Sequence, residues 1–123
     1  MSKYRNRLPQ LRAALFATDA GLETTLIFHQ ELELPHFAAF DLLKEETGTA
    51  ILRRYFEHYA DIARDRGMGL LLESATWRAS RDWGALLGYD EIALADANRR
   101  SIGLLVEIRA KFESPRTPIV ISG

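Results

Sequence analysis

Three short apolar runs, separated by two long stretches with helical periodicity, are the feature of this sequence that most limits its fold. The runs are residues 15–19, 68–74 and 118–122. They start about 50 residues apart, which leaves room in each connection for the helix that parallel strands require. Such alternation is typical of βαβ units. It predicts an α/β fold with three parallel strands in the order 1-2-3. Right-handed connections would place both crossover helices on one face.

The first helical stretch is predicted to be broken near Gly48, because Thr47-Gly48-Thr49 lies within it and glycine lowers helix stability. From Thr49 onward, apolar residues recur at spacings of three and four and predict one buried stripe. Its members are Leu52, Tyr55, Phe56, Tyr59, Ile62 and Ala63. Gly67 suits the left-handed residue that commonly ends a helix.

The second long helix is predicted to begin after Asp90, whose carboxylate can accept from the free N–H groups of the first turn. Its apolar face is predicted to consist of Ile102, Leu105, Ile108 and Phe112. Pro115 and Pro118 end the helix, since proline forces the preceding residue out of the helical region.

The charge balance indicates neither a nucleic-acid partner nor an anionic membrane surface. Sixteen Lys and Arg stand against 17 Asp and Glu, for a net charge of −1. No apolar run approaches the roughly 18 residues of a membrane span. The segment after the basic N-terminus is interrupted by Pro9, Gln10 and Arg12, so no signal peptide is indicated. A cytoplasmic protein is therefore expected. The absence of cysteine excludes disulfides and thiolate metal sites formed by this chain alone.

Three segments together resemble the homocysteine S-methyltransferase family. Thr-Asp-Ala-Gly-Leu-Glu-Thr-Thr-Leu at 18–26 is similar to the family's opening turn after the first barrel strand. Glu-Ser-Ala-Thr-Trp-Arg-Ala-Ser at 73–80 resembles its Thr-Asn-Thr-Tyr-Gln-Ala-Ser signature after the second strand, and 118–123 resembles the third strand. The match covers nearly the whole chain in order. It departs from the family at Ala20 for glycine, Ala75 for asparagine and Trp77 for tyrosine.

The resemblance implies a partial TIM (β/α)8 barrel, with residues 1–123 forming its first three parallel strands and two crossover helices. It also implies methyl transfer from a sulfonium, betaine-like or folate donor to a zinc-bound thiol such as homocysteine. Zinc lowers the pKa of a bound thiol, so that the thiolate exists at neutral pH. In the family, cysteines beyond the third strand hold this zinc. This chain has none, so we assign it no catalytic or metal-binding residue and expect it to be inactive alone.

Asp19, Ala20, Gly21 and Glu23 follow the first strand, where barrels place binding groups. By resemblance, Asp19 would hold the ammonium of the acceptor amino acid, and the N–H groups of Ala20 and Gly21 would receive its carboxylate. Glu23 would be a second polar contact. The alternatives are an Asx turn at Asp19, a turn that needs positive φ at Gly21, and an ion pair for Glu23.

Thr76 and Trp77 follow the second strand, which contains the acidic Glu73. By resemblance, both residues border the methyl-donor site, where an indole face can attract a cationic donor. The alternative is that Trp77 and Trp83 pack over the barrel rim. His29 and His36 lie in a polar loop and His58 on the solvent side of a helix, and their spacing matches no compact metal site.

Two other hypotheses concern the chain as a whole. A sheet of three strands has open edges, which are sticky, so the chain is expected to self-associate or to fold only in part. One alternative to an interrupted methyltransferase is therefore a non-catalytic fragment that self-associates. Another is an independent βαβαβ ligand-binding module, but no phosphate-binding glycine motif follows any strand.

Overall fold

A computed structural model describes residues 2–12 and 14–123. Three strands, β1 (Phe16–Thr18), β2 (Gly69–Glu73) and β3 (Ile119–Ser122), form one sheet in the order β1-β2-β3. Both neighbouring pairs are parallel, with Ala17 opposite Leu70 and Leu71 opposite Val120. The predicted parallel order is confirmed. The first strand is shorter than predicted, since Leu15 precedes it and is 72% exposed.

Four α-helices connect or precede these strands. They are α1 (Leu22–Thr24), which continues into a π-helical turn (Thr25–His29), α2 (Glu46–Arg66), α3 (Arg81–Leu86) and α4 (Glu91–Phe112). Short 3-10 turns occupy Pro9–Leu11, Pro35–Phe37 and Ala39–Lys44. The helix α3 and these turns are not predicted by the sequence patterns. His29 was expected in a loop, whereas it ends the π-helical turn.

The core lies between one face of the sheet and the two long helices. Alternate strand residues point to opposite faces, and Leu70, Leu72 and Ile119 on the helix-facing side are fully buried. They belong to one cluster with Leu52 and Phe56 of α2 and with Leu105 and Ile108 of α4. Both helices therefore cover the same face of the sheet, as predicted. This is a mixed α/β architecture.

The predicted caps are confirmed. Gly67 follows α2 with φ at +61°, and its N–H donates to carbonyl oxygens of the last turn. Asp90 precedes α4, and its carboxylate accepts from the N–H of Ala93 at 2.7 Å. Both contacts satisfy backbone groups that a helix end leaves unpaired.

The first helical stretch has two pieces, as predicted, namely the 3-10 turn Ala39–Lys44 and α2. The break near Gly48 lies at Glu45, whose backbone is extended, and α2 begins at Glu46 and runs through Gly48 without interruption. Gly48 is buried in the first turn of α2, where a Cβ would lie 2.2 Å from the carbonyl oxygen of Leu42. Glycine is needed here for a close backbone approach rather than for a break.

Two residues of the predicted helix stripes lie off the buried face. Ile62 is 40% exposed, because the buried line of α2 passes through Ala60 and Ala63. Ile102 is half-buried, and Ser101 takes the neighbouring core position. The Ser101 hydroxyl accepts from the N–H of Ala75 at 3.0 Å, which explains a polar side chain in the core.

The outer strands β1 and β3 each pair with β2 alone within the described part of the chain. Self-association through these edges stays a prediction. None of the helices in the described ranges has the length and apolar character needed to cross a bilayer.

Candidate functional site

The carboxyl ends of the three strands bring polar side chains to one edge of the sheet. Asp19 comes directly after β1, Glu73 ends β2 and Ser122 ends β3. Glu73 and Ser122 are direct neighbours in the strand register. Parallel strands all end at the same edge, which is where α/β sheets bind ligands. We call the carboxyl-end groups of Asp19, Ala20, Gly21, Glu73 and Ser122 the carboxyl edge.

Asp19 is held in place by α2. The Tyr55 hydroxyl lies 3.0 Å from Oδ2 of Asp19 and 3.2 Å from the carbonyl oxygen of Ala20, so one proton serves two acceptors. Tyr59 also reaches the Ala20 carbonyl oxygen, at 3.4 Å. Tyr55 itself is buried. These contacts fix the turn after β1 against the helix.

The electrostatics of Asp19 are set by partial burial. Loss of hydration raises the pKa of its carboxyl above the ordinary 3.8, and the nearby Glu73 raises it further. The hydrogen bond from Tyr55 and two backbone N–H groups act in the opposite direction without cancelling the rise. Burial also raises the pKa of Tyr55, with Asp19 contributing, so Tyr55 stays a hydrogen-bond donor. A carboxylate in this environment favours a cationic partner.

The turn after Asp19 has its left-handed residue at Gly21, as the turn alternative for this glycine predicted. Gly21 has φ at +67° and precedes α1, and its carbonyl oxygen accepts from the N–H of Thr25 at 2.8 Å. Within residues 2–12 and 14–123, the N–H groups of Ala20 and Gly21 have no hydrogen-bond acceptor. Ala20 and Gly21 are both exposed. The turn therefore presents two free donors next to the carboxylate of Asp19.

Glu23 is not joined to this arrangement. It lies half-buried in α1, and no described residue forms a hydrogen bond or ion pair with its side chain. The expected ion pair with a neighbouring loop is thus absent from the described ranges, and the binding role stays a prediction.

The loop after β2 is tied to both β3 and α4. The Ser74 N–H donates to the carbonyl oxygen of Ser122 at 2.9 Å, and the Ser74 and Thr76 hydroxyl oxygens lie 2.6 Å apart. The N–H of Ala75 donates to Ser101 on α4. Thr76 is half-buried by these contacts. Its hydroxyl is engaged by Ser74, and its predicted role at a methyl-donor site stays a prediction.

Trp77 does not pack directly on Trp83. It is 65% exposed, and the Arg78 guanidinium carbon lies 4.1 Å from its ring centroid. The same carbon lies 4.0 Å from the ring centroid of Trp83, which is itself 5.8 Å from the His36 ring. Both indoles thus contact the guanidinium of Arg78, and packing of the two tryptophans over a barrel rim stays a prediction. Arg78 was not among the predicted site residues, although it lies between the two tryptophans in the sequence.

The donor groups of this chain do not fit the zinc site that the resemblance implies. The sequence contains no cysteine. Among the residues that the structure describes, no three His, Asp or Glu side chains come together as ligands. We therefore assign no step through zinc to these residues.

Comparisons with known proteins give no further guide. No family model, no curated protein and no solved structure matches the chain.

Asp19→Asn is expected to change how stability depends on pH. Because the folded-state pKa of Asp19 is raised, its contribution to stability is present below the ordinary 3.8 and is lost as pH rises through the folded value. The variant lacks this loss, while its amide oxygen can still accept from Tyr55. The free energy of unfolding is measured with urea from about pH 3 to pH 7. The value for the variant should rise relative to that of the parent chain as pH increases. A constant difference between the two proteins would contradict the raised pKa.

Proposed function

We propose that this chain supplies the first three strands of a homocysteine S-methyltransferase-type barrel, and that its carboxyl edge binds the amino-acid end of the thiol acceptor. One observation carries the proposal. Asp19, fixed by Tyr55, stands beside two backbone N–H groups that have no acceptor among the described residues. An anion next to two free donors complements the ammonium and carboxylate of an amino acid.

Each group has a defined part in this binding. The Asp19 carboxylate accepts hydrogen bonds from the α-ammonium, and the charge of Glu73 adds to the attraction for a cation. The N–H groups of Ala20 and Gly21 donate to the α-carboxylate. Held by its amino-acid end, the ligand keeps its thiol side chain free to extend away from these three residues.

In this proposal the chain binds and orients the acceptor and does not activate it. Methyl transfer forms a carbon–sulfur bond at the acceptor thiolate and breaks the bond from the methyl carbon to the donor, which leaves with that electron pair. No described side chain is suited to generate the thiolate. The sequence has no cysteine, and no three His, Asp or Glu side chains of the described residues come together to hold a zinc ion. The consecutive parallel order β1-β2-β3 supports a barrel, although other α/β sheets share it.

Titration of the ¹⁵N-labelled chain with L-homocysteine tests the binding. We expect the amide signals of Ala20 and Gly21 to shift, with affinity at least about tenfold lower in Asp19→Asn, because a hydrogen bond to a charged group contributes about 1.5–3 kcal/mol. Glu33→Gln is the matched control, since it removes one exposed carboxylate elsewhere on the surface. Its affinity should stay within about twofold of the parent.

Two analogues separate the proposed contacts. A homocysteine analogue without the α-amino group should bind with the same affinity to the parent chain and to Asp19→Asn. An analogue without the α-carboxylate should no longer shift the amide signals of Ala20 and Gly21. Unchanged signals at these two amides, or equal losses in Asp19→Asn and Glu33→Gln, would refute the binding mode. The barrel assignment has a separate test in the coding sequence after residue 123, where an in-frame Gly-Gly-Cys-Cys-like pair is expected.

A further inference from the structure

The loop after β2 and the helix α3 together hold one arginine between two aromatic rings. The guanidinium carbon of Arg78 lies 4.1 Å from the ring centroid of Trp77 and 4.0 Å from that of Trp83. Each indole face attracts the cation. We call these three residues the Trp-Arg-Trp stack.

The charge of Arg78 has no counter-charge in the described part of the chain. Arg81, three residues away, forms an ion pair with Glu91, whereas Arg78 pairs with no carboxylate of the described ranges. Its Nε–H is buried and has no acceptor within residues 2–12 and 14–123. The buried Nε–H lies out of reach of a ligand. The Nη groups of Arg78 are not buried and donate to no described residue, so they are the donors that an oxyanion can pair with.

The position of the rings limits which ligand can approach. The centroid distances of 4.1 and 4.0 Å fit stacking of both indoles on the guanidinium, and a guanidinium stacked on both faces is approachable mainly in its own plane. Arginine binds oxyanions in that plane through two parallel N–H bonds. A planar carboxylate continues the plane of the guanidinium between the rings, whereas a tetrahedral phosphate places oxygens above and below it.

We propose that the Trp-Arg-Trp stack binds a carboxylate group of a small-molecule ligand, paired in plane with Arg78. The site is built from residues other than those that form the amino-acid site at Asp19, Ala20 and Gly21. It therefore stands whether or not homocysteine binds there.

Tryptophan fluorescence reports on this site alone, because Trp77 and Trp83 are the only two tryptophans of the sequence. Titration with sodium acetate, at ionic strength held constant with sodium chloride, should give a saturable change in emission. Arg78→Lys keeps the charge but loses the planar fork, so acetate binding should weaken by at least about fivefold. Arg81→Lys is the matched control. It is an exposed arginine three residues away, and acetate binding should be unchanged.

A second measurement does not depend on the variant folding. The Nε–H signal of Arg78 in the parent chain should shift with acetate and saturate at the same concentration as the fluorescence. A linear response equal to that of chloride, or equal acetate affinity in Arg78→Lys, would overturn the proposal. Inorganic phosphate should bind more weakly than acetate, and tighter phosphate binding would replace the carboxylate assignment with a phosphate site.

Discussion

Gly48→Ala should destabilise the protein by about 3 kcal/mol, although alanine is the better helix former by about 1 kcal/mol. A Cβ at this position would lie 2.2 Å from the carbonyl oxygen of Leu42 and 2.9 Å from its carbonyl carbon. Both are backbone atoms, so no side-chain rotation relieves the clash. The effect on stability should therefore be opposite to the one that helix propensity predicts.

The clash should spread into the core, because the segment that must move is itself packed there. Leu42 belongs to the 3-10 turn Ala39–Lys44, whose Phe40 and Leu43 are 0% and 2% exposed. Displacing this turn from α2 would pull those side chains out of close contact with the helices. Close-packed interiors tolerate such shifts poorly.

Gly103→Ala is the matched control. Gly103 lies within α4, and a Cβ there meets no atom within 4 Å. The same substitution should then stabilise the protein by about 0.5–1 kcal/mol, through helix propensity and the reduced freedom of the unfolded chain. Urea and thermal unfolding of both variants measure the difference, which should separate their melting temperatures by about 15 °C. Stabilisation of similar size in both variants would refute the close approach at Gly48.

The strands and long helices could be predicted because their signals are local. Leu70 and Leu72 lie in an apolar run too short for a helix, and Asp90 and Gly67 are residues that helix ends require. The order of the strands follows from right-handed connections. None of these arguments needs a distant contact.

The failures involve residues whose surroundings come from distant parts of the chain. Gly48 was taken as a helix breaker because the spacing of residue types in the sequence does not reveal that the Leu42 backbone packs against it. Ser101 was not among the predicted core residues of its helix, although it is 2% exposed and its hydroxyl accepts from the N–H of Ala75. At the site, Asp19 could be chosen from its place after a strand. Its partner Tyr55, 36 residues away, was assigned only to the core stripe.

Glu113 is a second carboxylate whose role depends on distant contacts. It follows α4 and accepts from the Tyr4 hydroxyl at 2.7 Å and from the Ile119 N–H at 2.9 Å, and it forms an ion pair with Lys3. Ile119 begins the outer strand β3. The carboxylate thus joins the N-terminal segment to the start of this strand and satisfies one N–H there.

Glu113→Ala should therefore destabilise the protein by about 2–3 kcal/mol, because the Ile119 N–H and the Tyr4 hydroxyl lose a charged acceptor. Glu107→Ala is the control, since Glu107 forms an exposed ion pair with Arg53 and its side chain is 65% exposed. Surface pairs of that kind contribute about 0–1 kcal/mol. Equal losses in the two variants, measured by urea unfolding at neutral pH, would show that Glu113 does not anchor β3.

The pH dependence of this loss should run opposite to that of Asp19. Burial raises the pKa of Glu113, but the hydrogen bonds from Lys3, the Ile119 N–H and Tyr4 together hold it below its ordinary 4.5. A lowered folded-state pKa means that the stabilisation is present above 4.5 and is lost as pH falls through the folded value. The difference between the parent chain and Glu113→Ala should therefore shrink on acidification. With Asp19→Asn, acidification instead removes the advantage of the variant. Each variant is compared with the parent chain on its own. If acidification changed both stability differences in the same direction, the distinct surroundings of these two carboxyls would be contradicted.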